Sequence, residues 1–252
     1  MLIKTILNRV HKLKSFVYNS VEIVDEPAGA ALLIHIMPRA NSRPICSKCH
    51  KPCAGYDTLA PRRFEFVPMW AMTVFFVYCM RRVNCPVCGV VVEQVEWAKG
   101  KHHLTDTYAW FLARWAKRLC FKDVAQAFGA SWSTVFRAVK MAVAWGLVHR
   151  SLEQITAIGV DEIQWQKGHK YLTLVYQIDN GAKRLLWIGA NRTEATLNKF
   201  FHMLGKPRCQ KIRFVCSDMW KPYLSVIVKK VSQALVDPQK QRNQIRRNFH
   251  NN

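Results

Sequence analysis

The stretch that decides the fold is ITAIGVDEIQWQKGHKYLTLVYQID, residues 155–179. Its first apolar run ends at two adjacent acids, Asp161 and Glu162. A second run, residues 170–179, is followed by Asn180-Gly181, a dipeptide typical of two-residue β-hairpin turns. The pattern predicts that residues 170–179 and the next strand, RLLWIGAN, form a β-hairpin, and that Asp161 lies at the end of the first strand.

Downstream, the pattern continues as a third strand, a helix and a fourth strand, IRFVCSD, that ends at Asp218. In an RNase H-like sheet the first and fourth strands are neighbours, which would put Asp161 and Asp218 side by side. Two close carboxylates repel unless a cation lies between them, and Mg²⁺ prefers carboxylate, water and phosphate oxygens. We therefore hypothesise that both acids are catalytic magnesium ligands, with paired ions about 4 Å apart that activate a water or a 3′-hydroxyl for phosphodiester cleavage. Glu162 is the alternative ligand beside Asp161, and Asp179 is interpreted as a turn residue.

Both acids also have simpler explanations. Taken alone, Asp161 also suits capping a loop, and Asp218 suits starting the helix that follows it.

The composition favours a polyanionic partner. The chain has 252 residues, with 38 Lys plus Arg against 16 Asp plus Glu and a net charge of +22, which indicates nucleic acid binding. A hydrophobic content of 50% argues against a disordered basic protein. The longest apolar run, residues 69–80, is shorter than the ~20 residues of a membrane helix, and the basic N-terminus lacks a signal-type core. We expect a soluble cytoplasmic protein associated with the nucleoid.

Two C-x-x-C pairs predict a structural zinc site. Each pair places two thiolates on one tight turn, and two such turns complete a closed tetrahedral shell. The predicted ligands are Cys46, Cys49, Cys85 and Cys88. Cys53 and His50 remain alternative ligands, and the simpler interpretation is a set of free, buried cysteines. The other four cysteines are expected in the core: Cys79, Cys120, Cys209 and Cys216.

Residues 121–143 predict a helix, a tight turn and a second helix. Gly129 ends the first helix in a left-handed conformation, and Ser131 caps a second helix that runs to about Trp145. This is the plan of a helix-turn-helix, whose second helix lies in the DNA major groove. The candidate DNA-facing residues are Ser133, Thr134, Arg137 and Lys140, and those expected to pack inward are Trp132, Val135, Phe136 and Val139. An ordinary helical hairpin is the alternative.

Four segments together resemble the ISL-three family of bacterial insertion-sequence transposases. They are CSKC…RRVNCPVCGVVVEQVEWA, FKDVAQAFGASWSTVFRAV, IGVDEIQWQKGHKYLTLVYQID and CSDMWKPY. The resemblance implies an N-terminal zinc-binding segment, a helix-turn-helix for the terminal inverted repeats and a DDE-type catalytic domain of RNase H-like fold. Asp161 matches the first catalytic acid of the family and Asp218 the second.

The end of the chain departs from that family. The resemblance implies an Asp-Arg-Phe-His run and then a helical region with the catalytic Glu, but the sequence reads DPQKQRNQIRRNFHNN after Val236. We expect a shifted frame or premature end, and little or no strand transfer by the isolated chain because the third acid is missing. The expected fold is multi-domain α/β. Residues 1–100 form a zinc-binding β segment, 101–151 the helix-turn-helix, 152–236 an incomplete RNase H-like mixed α/β domain, and 237–252 an aberrant polar basic tail.

Three functions follow from these features. The first is an Mg²⁺-dependent transposase, or its weakly active or inactive truncated copy, acting on double-stranded DNA, with homo-oligomer formation left open. The second is a non-catalytic zinc and helix-turn-helix protein that occupies element ends or represses transcription, which would have no need of Asp161 and Asp218 together. The third is a zinc protein that binds single-stranded RNA.

Overall fold

A computed structural model describes residues 3–27, 29–100, 102–217 and 220–237. Asp218 and residues 238–252, which include nearly all of the predicted tail, lie outside the described residues. The chain divides into two compact units, Met1–Val148 and His149–Asn252.

The first unit begins with a helix and a five-stranded sheet. These elements are α1 (Ile3–Val10), β1 (Phe16–Glu26), β2 (Gly29–Pro38), β3 (Ala54–Met69), β4 (Met72–Cys85) and β5 (Gly89–Val92). The strand order is β1-β2-β4-β3, with β5 paired to β4. Alternating apolar residues of these strands bury one face, where Trp97 packs edge-on against Phe16, Phe64 and Tyr78 at ring centroid distances of 5.0, 5.8 and 5.4 Å.

Three helices complete the first unit: α2 (Asp106–Trp115), α3 (Phe121–Ala127) and α4 (Trp132–His149). Thr105 caps α2 by accepting a hydrogen bond from the backbone N–H of Tyr108. Buried Leu112, Val124 and Val135 join the three helices in one small core. Helix α4 continues four residues beyond the predicted end at Trp145. Within the described ranges, no helix combines the length and hydrophobicity that crossing a bilayer requires.

The second unit is built on another five-stranded sheet. Its elements are β6 (Ala157–Gln166), β7 (Lys170–Asp179), β8 (Ala182–Ala190), α5 (Glu194–Leu204), α6 (Lys206–Cys209), β9 (Phe214–Ser217), α7 (Lys221–Lys230) and β10 (Leu235–Asp237). The strand order is β10-β9-β6-β7-β8. The predicted neighbour relation is therefore confirmed, since the first strand of the unit, β6, pairs in parallel with the fourth, β9. Helices α5 and α7 contribute Phe200 and Tyr223 to the core that covers Val160 and Val175.

The predicted end of the first strand at Asp161 is wrong. Strand β6 continues to Gln166, because its hairpin with β7 extends to the pair Gln166↔Lys170. Gly168 and His169 close the hairpin in the left-handed region, with φ of 86° and 57°. What stops beside Asp161 is the parallel pairing with β9, whose last register pair is Val160↔Ser217.

Candidate functional site

The structure brings the four predicted cysteines of the first unit together. The sulfur atoms of Cys46, Cys49, Cys85 and Cys88 all lie within 4.8 Å of one another, and those of Cys49 and Cys85 are 3.6 Å apart. Four sulfurs around zinc at a Zn–S distance of about 2.3 Å have tetrahedral edges of about 3.8 Å. The cluster therefore fits a zinc ion in size and in ligand type.

The backbone of each cysteine turn favours thiolate at its first residue. The backbone N–H of Cys49 holds the pKa of the Cys46 thiol below its usual value, and those of Val87 and Cys88 do the same for the pKa of Cys85. Burial raises the pKa of the Cys88 thiol. Because thiolate is the form that binds metal, two of the four sulfurs are predisposed to it before any ion arrives.

The two alternative ligands lie outside the four-sulfur group. Cys53 packs in the same small core, but its thiol donates to the backbone carbonyl of Lys51 at 3.4 Å. The His50 ring is hydrogen-bonded through Nδ1 to the side-chain oxygen of Gln94 at 2.7 Å. Neither residue is needed to complete four ligands.

The expectation that the remaining cysteines are buried is wrong for two of them. Cys209 and Cys216 are buried, whereas Cys79 and Cys120 are exposed. Cys79 lies on β4 between the buried Tyr78 and Met80, so strand alternation turns its side chain to the opposite face. Cys120 is the N-cap residue of α3.

In the second unit, Asp161 lies at the point of β6 where pairing with β9 has ended and pairing with β7 continues. Its register partner on β7 is Leu174, and the preceding residue, Val160, is the last to pair with β9. The partner of Val160 is Ser217, which Asp218 follows in the sequence. The Asp161 side chain is half-buried and accepts a hydrogen bond from the backbone N–H of Glu162 at 2.8 Å. Burial, and then the negative charge of Asp161, raise the pKa of Tyr176.

Glu162 points to the opposite face of β6, because successive residues of a strand alternate. Its carboxylate lies 2.9 Å from the guanidinium of Arg192 and is only 12% exposed. Arg192 in turn stacks over the rings of Trp220 at 4.3 Å and Tyr171 at 5.8 Å. Glu162, the alternative metal ligand, is therefore paired with Arg192 on the face of the sheet that the helices cover.

Asp179 has a structural role, in agreement with its interpretation as a turn residue. Its carboxylate accepts hydrogen bonds from the backbone N–H of Thr156 at 3.2 Å and from the side-chain amide of Gln177 at 2.7 Å. These bonds tie the start of β6 to the end of β7.

The helix pair α3–α4 has the predicted turn. Gly129 has a φ of +65°, and the Ser131 hydroxyl accepts the backbone N–H of Thr134 at 3.1 Å. Among the candidate DNA-facing residues, Ser133, Arg137 and Lys140 are exposed and Thr134 is half-buried. The Thr134 hydroxyl lies 2.9 Å from that of Ser131 and 3.4 Å from the Arg137 guanidinium.

The expected inward face of α4 is partly wrong. Val135 is fully buried and Val139 half-buried, but Trp132 and Phe136 are 55% and 45% exposed. The helix packs on Tyr108 and Leu112 through the line that contains Val135 and Ala138, and the two aromatic rings lie off that line.

The sequence identifies the class of protein. Residues 158–236, which run from β6 to β10, match a sequence model described as transposase, that of the ISL-three group of DDE transposases. Transposases of the element IS1557 from two strains of Mycobacterium tuberculosis are 30% identical over 230 residues, covering 88% of this chain and 50% of each relative. The transposase of IS1001 from Bordetella parapertussis is 28% identical over 204 residues, covering 81% of this chain and 49% of that protein.

The chain belongs to the ISL-three family of insertion-sequence transposases. It spans about half the length of the curated relatives it matches.

Proposed function

We propose that the chain binds the terminal inverted repeats of an insertion sequence in double-stranded DNA. We further propose that it supplies Asp161 and Asp218 as acids of an RNase H-like centre for Mg²⁺-dependent phosphodiester cleavage and strand transfer. The observation that supports this most directly is the parallel pairing of β6 with β9. Its last pair, Val160↔Ser217, joins the two residues that precede these acids in the sequence. In a cell, such a protein would be associated with the nucleoid.

The two adjacent acids of β6 would have different tasks. Asp161 would offer its carboxylate to Mg²⁺, which stabilises charge on the phosphate oxygens and lowers the pKa of bound water. Glu162, held by Arg192, would keep the strand and the Trp220 ring in place rather than bind the ion. Asp218 is assigned from its match to the family, because it lies outside the described residues.

A metal titration separates these tasks. Free Mn²⁺, measured by its electron paramagnetic resonance signal, serves as the probe for the Mg²⁺ site. We expect Asp161→Asn to weaken Mn²⁺ binding by about tenfold or more, since losing even a group that only supports a metal ligand costs about that much. Glu162→Gln and the exposed Glu194→Gln, which remove the same charge, are expected to leave it within about twofold.

If all three variants lose Mn²⁺ affinity equally, the loss is explained by the change in net charge, and the assignment of Asp161 as a metal ligand is overturned. Cleavage is scored on a terminal-repeat duplex in the same buffers. Duplex binding without Mn²⁺ or Mg²⁺ affinity at Asp161 would favour the non-catalytic DNA-binding alternative.

We propose that the four-cysteine cluster holds one structural zinc ion, since four protein ligands close its coordination shell. Cys85→Ser is expected to lower the zinc content of the purified chain from one ion per chain to a small fraction, measured by plasma mass spectrometry. Cys79→Ser is the matched control, because Cys79 is an exposed cysteine of the same strand. Full zinc retention by Cys85→Ser, or equal loss in both variants, would refute the site.

We propose that Ser133, Thr134, Arg137 and Lys140 form the DNA-facing surface of α4, with α3–α4 as a helix-turn-helix. Duplex affinity is then expected to fall with salt, because neutralised phosphates release counterions. Lys140→Ala is expected to reduce the slope of log Kd against log salt by about 1, whereas Lys229→Ala in the second unit leaves it unchanged. An unchanged slope for Lys140→Ala would remove that residue from the interface.

A further inference from the structure

Two aromatic rings lie stacked and exposed at the start of α4. The Trp132 and Phe136 rings are 5.4 Å apart at an interplanar angle of 7°, and more than two fifths of each side chain is exposed. Phe121, the first residue of α3, lies 5.8 Å from the Trp132 ring and 6.4 Å from the Phe136 ring. The apolar patch therefore joins the N-terminal ends of both helices of the pair.

The helical period places Phe136 on the outward face. The buried residues Val135 and Ala138 define the inward direction of α4. At about 100° per residue, the opposite direction falls between Ser133 and Lys140. Phe136 lies about 50° to one side of that direction and Arg137 about 50° to the other. A groove that admits Arg137 to base edges therefore admits Phe136 as well.

The chemistry of the major groove offers one apolar partner for such a ring. Among the groups that base pairs present there, only the 5-methyl of thymine is apolar. A protein partner fits this patch less well, since Lys140 is exposed on the outward face of α4 and lysine is depleted in protein interfaces. In DNA, phosphates flank the groove that contains the thymine methyl group. The cations Arg137 and Lys140 flank the aromatic pair in the same way, in a chain of net charge +22.

We propose that Phe136, supported by the stacked Trp132, contacts thymine 5-methyl groups and makes this family member select thymine at defined positions of its DNA site. The inference rests on the proposed DNA binding and adds specificity-determining residues to the polar set on α4.

The first arm of the test removes the methyl group from the DNA and uses only the wild-type chain. A short duplex is selected by the wild-type full chain from a random-sequence pool and then resynthesised with deoxyuridine at each thymine in turn. Wild-type affinity, measured by fluorescence anisotropy, is expected to fall about fourfold at one or two positions, the loss of about one buried methyl group. The same substitution is expected to be silent for Phe136→Ala, which binds the thymine duplex as weakly as the wild type binds the deoxyuridine duplex.

Trp70→Ala is the matched control. Trp70 is 71% exposed in the turn between β3 and β4, and this variant is expected to keep the full thymine preference. Circular dichroism checks that the variants are folded, which their exposed positions favour.

The outcomes are distinguishable. If no duplex is enriched and none binds, DNA binding itself fails and the inference fails with it. If a duplex binds equally well with thymine and deoxyuridine at every position, or if Phe136→Ala retains the preference, DNA binding stands and the thymine contact is overturned. A change from dimer to monomer in sedimentation on Phe136→Ala, without a change in thymine preference, would assign the patch to self-association instead.

Discussion

The substitution Glu93→Gln tests how the first unit holds its cysteine cluster. The Glu93 carboxylate is fully buried and accepts four hydrogen bonds. They come from the Tyr78 hydroxyl at 2.6 Å, the Arg81 backbone N–H at 2.8 Å, and the Arg81 guanidinium at 3.0 and 2.7 Å. Glu93 also bridges Cys46 through the backbone, so it connects β4 to the first cysteine turn.

The expected cost follows from the charge that is left behind. Gln keeps the shape of the side chain, but it removes the negative charge and turns an amide N–H toward the Arg81 guanidinium. Breaking a buried ion pair on one side costs about 3–5 kcal/mol. Since the Arg81 side chain retains 18% exposure, we expect the lower end, about 3 kcal/mol of unfolding free energy. For a unit of this size that corresponds to a drop of about 6–12 °C in Tm.

The ion pair of Arg82, which follows Arg81 on β4, supplies the control. Arg82 pairs with Asp57 in the same fork geometry, but both side chains are about two fifths exposed. Solvent screens such pairs, so Asp57→Asn is expected to leave the unfolding midpoint nearly unchanged. Urea unfolding followed by circular dichroism, with zinc in excess for every variant, gives both midpoints and the slopes. If Glu93→Gln matches Asp57→Asn, burial of the carboxylate contributes nothing and the reasoning is wrong.

Three further substitutions test packing, and urea unfolding measures each of them. Gly189→Ala would place its Cβ 2.1 Å from the Trp187 ring, so we expect a loss of about 3 kcal/mol, and a neutral result would contradict the close approach. Gly146→Ala meets open space inside α4 and is expected to stabilise by about 0.5–1 kcal/mol, whereas a loss there would contradict the helical backbone. Thr173→Val leaves the buried Tyr223 hydroxyl without its partner at 2.6 Å, at a cost of about 1–3 kcal/mol, and an unchanged midpoint would mean that the bond contributes nothing.

Local patterns were sufficient to predict the framework of the second unit. The dipeptide Asn180-Gly181 closes the β7–β8 hairpin through the register pair Asp179↔Ala182, and Gly181 has a left-handed φ of 80°, which glycine adopts readily. The C-x-x-C spacing likewise predicted which sulfurs meet, because each pair is fixed within its own turn. The sequence did not predict how far β6 extends, since its residues beyond Asp161 are mostly polar and are held by pairing with β7 alone.

Periodicity was insufficient for α4 because the helix is apolar around more than half of its circumference. Trp132, Phe136 and Val143 form one apolar line, and Val135 and Ala138 form another, and both recur at helical spacing. Only the second line is buried in the core that α4 shares with α2 and α3, whereas the first line touches α3 through Phe121 and stays exposed. Which of two apolar lines is buried depends on residues distant in the sequence, and those contacts leave no mark in the local pattern.

Local sequence patterns likewise do not reveal the role of Arg192, because its contacts are with residues distant in the sequence. Those contacts distinguish Glu162 from Asp161, the two adjacent acids of β6. Arg192 is remote from Glu162 in the sequence, and neither residue belongs to a spaced motif that would join them. Once the fold places Arg192 over Trp220, it neutralises Glu162 on the helix-covered face. Asp161, on the other face, has its backbone fixed by pairing with β7 but lies just past the last pair with β9. Two adjacent acids that look alike in the sequence therefore have different surroundings. Glu162 holds the unit together through Arg192, and Asp161 lies at the end of the parallel pairing between β6 and β9. The metal titration compares the two acids for this reason.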